Sequence, residues 1–262
     1  MRQRLYCLML LACALTGGCV SSGSTEPFPS DKVSMKQASE DNVSLGIKYL
    51  QAGKRDVAMQ KIQKAIQQDP DNAYAYMGEA LVYGATGDPE RAEESYHTAL
   101  RKAPNDPQIL NNYAVFLCEH NKAAESEKYF LQAAANPNYP SPDAAYDNAG
   151  LCASQVPDLV SAEKYFRRAI EINPSYPDPL FELAQLSYKQ KKYLQARAFI
   201  ERFNSVTPQQ RPDALLLGVQ IERTLGNQQG AAEYAKQLIK QFPGSPEAQQ
   251  LSKGGAHGGT PG

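Results

Sequence analysis

The chain has 262 residues, 21% of them charged, with 27 Lys and Arg against 28 Asp and Glu for a formal net charge of −1. That near-neutral balance of mixed sign excludes the basic face that nucleic acid requires and the polybasic stripe that anionic headgroups attract. No apolar stretch approaches 18 residues, so nothing reads as a membrane-spanning helix.

The chain opens Met1-Arg2-Gln3-Arg4, continues as an apolar run from Leu5 to Leu15, and reaches Thr16-Gly17-Gly18-Cys19. A basic start, a short apolar stretch and small residues predict a secretory signal peptide over 1–18. Residues 1–18 hold two Arg and no acid, so their removal brings the net charge to −3. Residues 19–38 begin with the polar run Ser21-Ser22-Gly23-Ser24-Thr25 and are expected to form a flexible tether.

Two glycines followed by Cys19 resemble the bacterial lipobox, with Thr16 where Leu is usual and Leu15 one step earlier. The resemblance implies cleavage before Cys19 and acylation of that residue; the other reading is an ordinary signal peptide with a bystander cysteine. Val20 rather than Asp after the cysteine implies, by similarity to sorting in Gram-negative envelopes, the periplasmic face of the outer membrane. One acyl chain holds only marginally, at about 0.8 kcal/mol per methylene, whereas three anchor durably.

Beyond the tether, X-Pro steps recur at Pro70, Pro104, Pro137, Pro174, Pro208 and Pro243, at spacings of 34, 33, 37, 34 and 35. A period near 34 means one supersecondary unit repeated. Within the units, large and small residues alternate at fixed offsets. The second has Tyr76, Ala80, Tyr83, Ala92, Tyr96 and Ala99; the fourth has Tyr146, Gly150, Ala162, Phe166 and Ala169. The pattern resembles the tetratricopeptide repeat (TPR), a helix-turn-helix unit. The resemblance implies an all-α, right-handed superhelical solenoid of six TPR units over 39–72, 73–106, 107–142, 143–176, 177–210 and 211–245. Ala58 and Ala65, seven residues apart, share one helix face and admit a close neighbour. Gly53 and Gly87 stand where the first helices end in a left-handed residue. Asp88-Pro89 reads as an N-cap followed by Pro at the first helical position. Ser126 departs from the pattern, replacing the small Ala of unit three. Residues 246–262 lose the period, and the Gly-rich stretch from Gly254 is expected to be a disordered tail.

Stacked helical pairs make an extended surface for holding another chain. The groove is expected along the first helices, at positions three or four residues apart. These are Val43, Ile47 and Leu50 in unit one and Tyr74, Met77 and Leu81 in unit two. Units three and four add Asn111 with Val115, and Asp147 with Leu151; unit five offers Phe181 and Gln185. The other reading is that some of these side chains seal contacts between adjacent units. Chaperone-binding relatives clamp a C-terminal carboxylate with Lys and Asn in this groove. Ile47, Leu81, Val115 and Leu151 hold the corresponding ring here, which excludes such a clamp.

Cys7 and Cys13 would leave with the signal and Cys19 would take lipid, leaving Cys118 and Cys152 on the first helices of adjacent units. In an oxidising periplasm they are expected to form a disulfide; two buried thiols packing as small apolar groups is the alternative. No His accompanies them at ligand spacing, so no metal is expected.

The runs Asn111-Asn112-Tyr113, Phe116-Leu117-Cys118, Tyr139-Pro140-Ser141-Pro142, Asn148-Ala149-Gly150-Leu151-Cys152 and Leu215-Leu216-Leu217-Gly218 follow one another behind the lipobox. Together with six repeats they resemble the type IV pilus biogenesis lipoproteins, over about 42–250. That resemblance implies a pilotin: a protein that binds the outer-membrane secretin and promotes its localisation and multimerisation. The alternative is another outer-membrane TPR adaptor lipoprotein, serving a peptidoglycan enzyme or a protease. Neither implies a cofactor or a small-molecule substrate. No His-Glu-x-x-His, Gly-x-Ser-x-Gly or Gly-rich phosphate loop points to an enzyme. His97 and His120 fall in a second helix and at an inter-helix turn, where a surface role is the default.

Overall fold

The computed structural model describes residues 35–156 and 158–255, with backbone alone at 253–255. The signal segment, Cys19 and the last residues of the expected tail, 256–262, lie outside the described residues. The described chain folds into thirteen α-helices and, among those residues, no strand. Six antiparallel hairpins follow in order: α1 (Met35–Gln51) with α2 (Arg55–Gln68), α3 (Ala73–Thr86) with α4 (Pro89–Lys102), α5 (Pro107–Glu119) with α6 (Ala123–Ala134), α7 (Pro142–Gln155) with α8 (Leu159–Ile172), α9 (Pro177–Lys189) with α10 (Tyr193–Val206), and α11 (Pro212–Thr224) with α12 (Gln228–Gln241). A last helix, α13, covers Pro246–Gly255.

Local sequence sets the boundaries. Gly53 and Gly87 end their helices at φ 73° and 82°, as expected of left-handed caps. Asn121 and Lys191 serve the corresponding turns of units three and five at φ 62° and 60°. Asp88 accepts from the Arg91 amide at 3.2 Å with Pro89 at the first helical position. Asp106 accepts from the amides of Gln108 and Ile109, both at 3.0 Å, ahead of Pro107. Proline also opens α7, α9 and α11, where its missing N–H would have had no helical partner.

The small positions do what the pattern requires. Ala58, Ala65, Ala92, Ala99, Ala162 and Ala169 are fully buried. Ile62 lies between α1 and α3 so closely that a Cβ on Gly46 or Gly78 would fall 2.7 or 2.5 Å from its Cδ1. Phe166 presses on Gly150 in the same way. The core is divided into clusters that bridge neighbouring units. One buried cluster joins Val43 and Ile62 to Ala75 and Val82, the next joins Met77 and Tyr96 to Ile109 and Tyr113, and a third joins Cys118 and Phe130 to Cys152 and Tyr165. Each cluster takes residues from two units, so no hairpin shelters its apolar face alone. At about 1.5–3 kcal/mol for each large side chain buried, the junctions carry much of the stability.

Two ends differ from expectation. Helix α1 begins at Met35, inside the expected tether 19–38. Just past its first turn, Ser39 is buried and donates its hydroxyl to the Ala65 carbonyl at 2.8 Å while accepting from Asn72 Nδ2 at 2.9 Å. At the other end, residues 246–255, expected to fall outside the regular pattern, form α13. Ser245 Oγ accepts from the Ala248 amide at 3.1 Å, and Ala248 and Leu251 pack on Leu215, Val219 and Leu238. Polar and Gly-rich neighbours mask that apolar pair in the sequence.

Candidate partner groove and its cysteine pair

The first helices α1, α3, α5 and α7 bring Ile47, Leu81, Val115 and Leu151 into equivalent positions, and all four are half-buried. They are apolar groups that the packing of the array leaves partly uncovered. Leu50 is likewise half-buried, against the core of units one and two. Tyr74 is 37% exposed, and its hydroxyl donates to Asp106 Oδ2 at 2.6 Å. Burial first, and then the neighbouring Asp106 carboxylate, holds the Tyr74 phenol well above its ordinary pKa.

Other expected groove residues are placed in the seams instead. Val43 is 6% exposed and packs with Ala58 and Ile62; Met77 is 1% exposed and packs with Tyr96 and Tyr113. Phe181 is fully buried against Phe203. These positions lie four residues before the half-buried ones. There the helix face turns toward the following hairpin, and the side chain seals the junction. Asp147 is also buried, at 4% exposure, with the Tyr176 hydroxyl donating to its Oδ2 at 3.3 Å.

Asn111 stays half-buried in the groove and accepts from Asn148 Nδ2 at 3.2 Å, a bridge from unit three to unit four. Along the edge where the first helices begin, Asp143 accepts from Asn173 Nδ2 at 2.9 Å. Tyr139 sits among these acids: burial, with Asp143 and Asp106 adding to it, pushes its phenol up to about 12. Sequence reasoning missed this edge. Its signal was the recurrence of Asp106, Asp143 and Asp178 near the start of successive first helices, obscured because each also reads as a helix-capping residue.

Cys118 on α5 and Cys152 on α7 meet across the same junction, their Cα atoms 5.8 Å apart and their sulfurs within bonding distance, inside the span a disulfide takes. Ser126, the departure from the small-residue pattern, packs here: its hydroxyl lies 3.1 Å from Cys152 Sγ and 2.8 Å from the Ala123 carbonyl it donates to. His97 packs its ring edge on Tyr113, and His120 Nδ1 lies 2.7 Å from the Phe116 carbonyl. Among the described residues, no group of three or more His, Cys, Asp or Glu could hold a metal ion, and no helix is long and apolar enough to cross a membrane.

Family models described as tetratricopeptide repeat match residues 49–111, 117–177, 158–218 and 213–245. The chain is 33% identical over 251 residues to the type IV pilus assembly protein PilF of Pseudomonas aeruginosa, covering 96% of this chain and 98% of that one. This chain belongs to the type IV pilus biogenesis TPR proteins. Two solved structures of that family agree with the fold. The crystal structure of PilW, described as a widely conserved type IV pilus biogenesis factor, superposes with a TM-score of 0.73 at 34% identity, covering 82% of this chain and 99% of its own. The Pseudomonas aeruginosa PilF structure gives 0.72 at 30% identity, covering 84% and 99%. The family thus accounts for the TPR solenoid and for a role in pilus biogenesis through protein contacts.

Proposed function

We propose that this pilus biogenesis protein acts as a pilotin, non-catalytic and anchored through acylated Cys19 on the periplasmic face of the outer membrane. Its groove captures a segment of the pilus secretin and holds the subunits where they multimerise. The observation that carries this reading is the half-buried apolar line Ile47, Leu81, Val115 and Leu151, repeated from unit to unit. Apolar side chains left partly open at equivalent positions of successive helices suit a partner's helix or extended segment. Tethering the captor to the membrane raises the local concentration of what it holds, so modest affinity suffices. Cys118 and Cys152 are covalently linked in this reading, fixing the junction beside the groove. Denatured protein should then show no thiol alkylatable without reductant at these two positions.

The test is co-purification of secretin from envelopes. Leu81→Asp places a charge on the half-buried line and should abolish secretin recovery while helical content is retained. Unchanged recovery would remove this groove as the site. Cys19→Ala should shift the protein away from the outer membrane and lower the yield of secretin multimers; normal multimers would refute the anchoring role.

A further inference from the structure

We infer that the groove selects a basic partner segment, one in which apolar residues alternate with Arg or Lys, because its apolar floor is bordered by a rim of carboxylates and phenols. The inference rests on the groove reading above and adds the chemistry of the occupant.

The rim is built at one edge. Asp106 caps α5 and Asp143 lies in the first turn of α7, so the two occupy the same end of successive first helices. Their hydrogen bonds come from neutral donors: Asp106 accepts from the Tyr74 hydroxyl and two backbone amides, and Asp143 from Asn173 Nδ2. Such bonds orient a carboxylate without cancelling its charge. Burial, and then both acids, raise the pKa of the Tyr139 phenol, which stays protonated and neutral near them. Behind the rim, Tyr176 donates to Asp147, which is buried. Phenol faces beside carboxylates suit a guanidinium or ammonium group, which donates a charge-assisted hydrogen bond to the carboxylate and makes a cation–π contact with the phenol ring.

The dimensions fit. From Asp143 to Leu151 is eight residues of helix, about 12 Å, and three or four residues of an extended segment span roughly 10–13 Å. An apolar side chain on the floor and a cation at the rim are therefore available to one strand at ordinary spacing. The acids are also spread one or two to a unit, and none of the described carboxylates gathers into a metal-holding group. That spacing favours several separate cationic side chains over a single bound ion.

The experiment uses the full chain and two labelled synthetic peptides of equal length, one repeating Leu-Ser-Arg and the other Leu-Ser-Glu, followed by fluorescence anisotropy. The Arg peptide should bind at least about tenfold more tightly, with the preference shrinking as salt screens the rim. The double variant Asp106→Asn/Asp143→Asn keeps a good N-cap at 106 and should lose the preference, with circular dichroism unchanged. Leu151→Ser should weaken both peptides alike. Equal binding of the two peptides by the unaltered chain, or a preference that survives the double variant, overturns the rim and leaves the groove reading standing. A sign preference lost in the double variant, with Leu151→Ser leaving the affinity for both peptides unchanged, supports the rim and removes the apolar groove as its floor.

Discussion

Gly150 and Gly84 both lie on first helices, and they make opposite demands. At Gly150 a Cβ would stand 2.6 Å from the ring of Phe166, a buried side chain with nowhere to retreat. At Gly84 a Cβ would meet nothing within 4 Å. Gly150→Ala should therefore lower stability by about 1–3 kcal/mol through overpacking. Gly84→Ala should raise it by up to about 1 kcal/mol through helix propensity. Thermal melts of the two variants check this, and a shift of the same sign in both would refute the packing argument. The alternation of large and small residues was legible at this scale because only small residues let neighbouring backbones approach. What was not legible was which face of a first helix stays open. Met77 and Leu81 are four residues apart, about 40° around the axis, yet one seals a seam and the other is half-exposed. That difference depends on how each hairpin leans on the next, which no single helix encodes. Ser126 looked like a flaw in the repeat; its contact with Cys152 shows a polar group accommodated beside sulfur.

Between elements, the junction of α10 and α11 carries a charge that the repeat pattern does not announce. Glu222 is 3% exposed and takes two hydrogen bonds from Arg197, at 2.7 and 2.5 Å, with a third from Asn227 Nδ2 at 2.6 Å. Removing Arg197, itself 29% exposed, leaves the buried Glu222 carboxylate with Asn227 as its remaining donor, so Arg197→Ala should cost about 1–3 kcal/mol. The exposed Arg168–Glu171 pair, 2.9 Å long with both side chains more than half exposed, should contribute far less, because water screens it. Denaturant titrations of Arg197→Ala and Arg168→Ala give the comparison; equal losses would contradict the burial argument. The hairpins themselves were legible from the proline period and the caps. The two terminal extensions were not. Helix α1 is fastened near its start by a buried serine that bonds to residues 26 and 33 positions away, and α13 is fixed by an apolar surface on α11 and α12. Both depend on partners distant in sequence, so local composition reads them as polar and irregular.

Over the whole described array, the substantial helix contacts join helices one or two apart in chain order. Stability in such a stack is close to a sum of nearest-neighbour terms, and the ends require covering. Ending the chain after residue 245 would uncover Leu215, Val219 and Leu238, now packed against Ala248 and Leu251. The truncated protein should melt at a lower temperature and self-associate, measured by calorimetry and light scattering; a monomer with an unchanged melt would show that α13 is not a cover. The same linear order has a mechanical side. Hairpins coupled only to their neighbours are linked in series, so tension between α1 and a partner gripped at Leu151 must pass undiminished through every intervening seam. The weakest seam yields first, and the Cys118–Cys152 link proposed above would put a fastening across the last one before the grip.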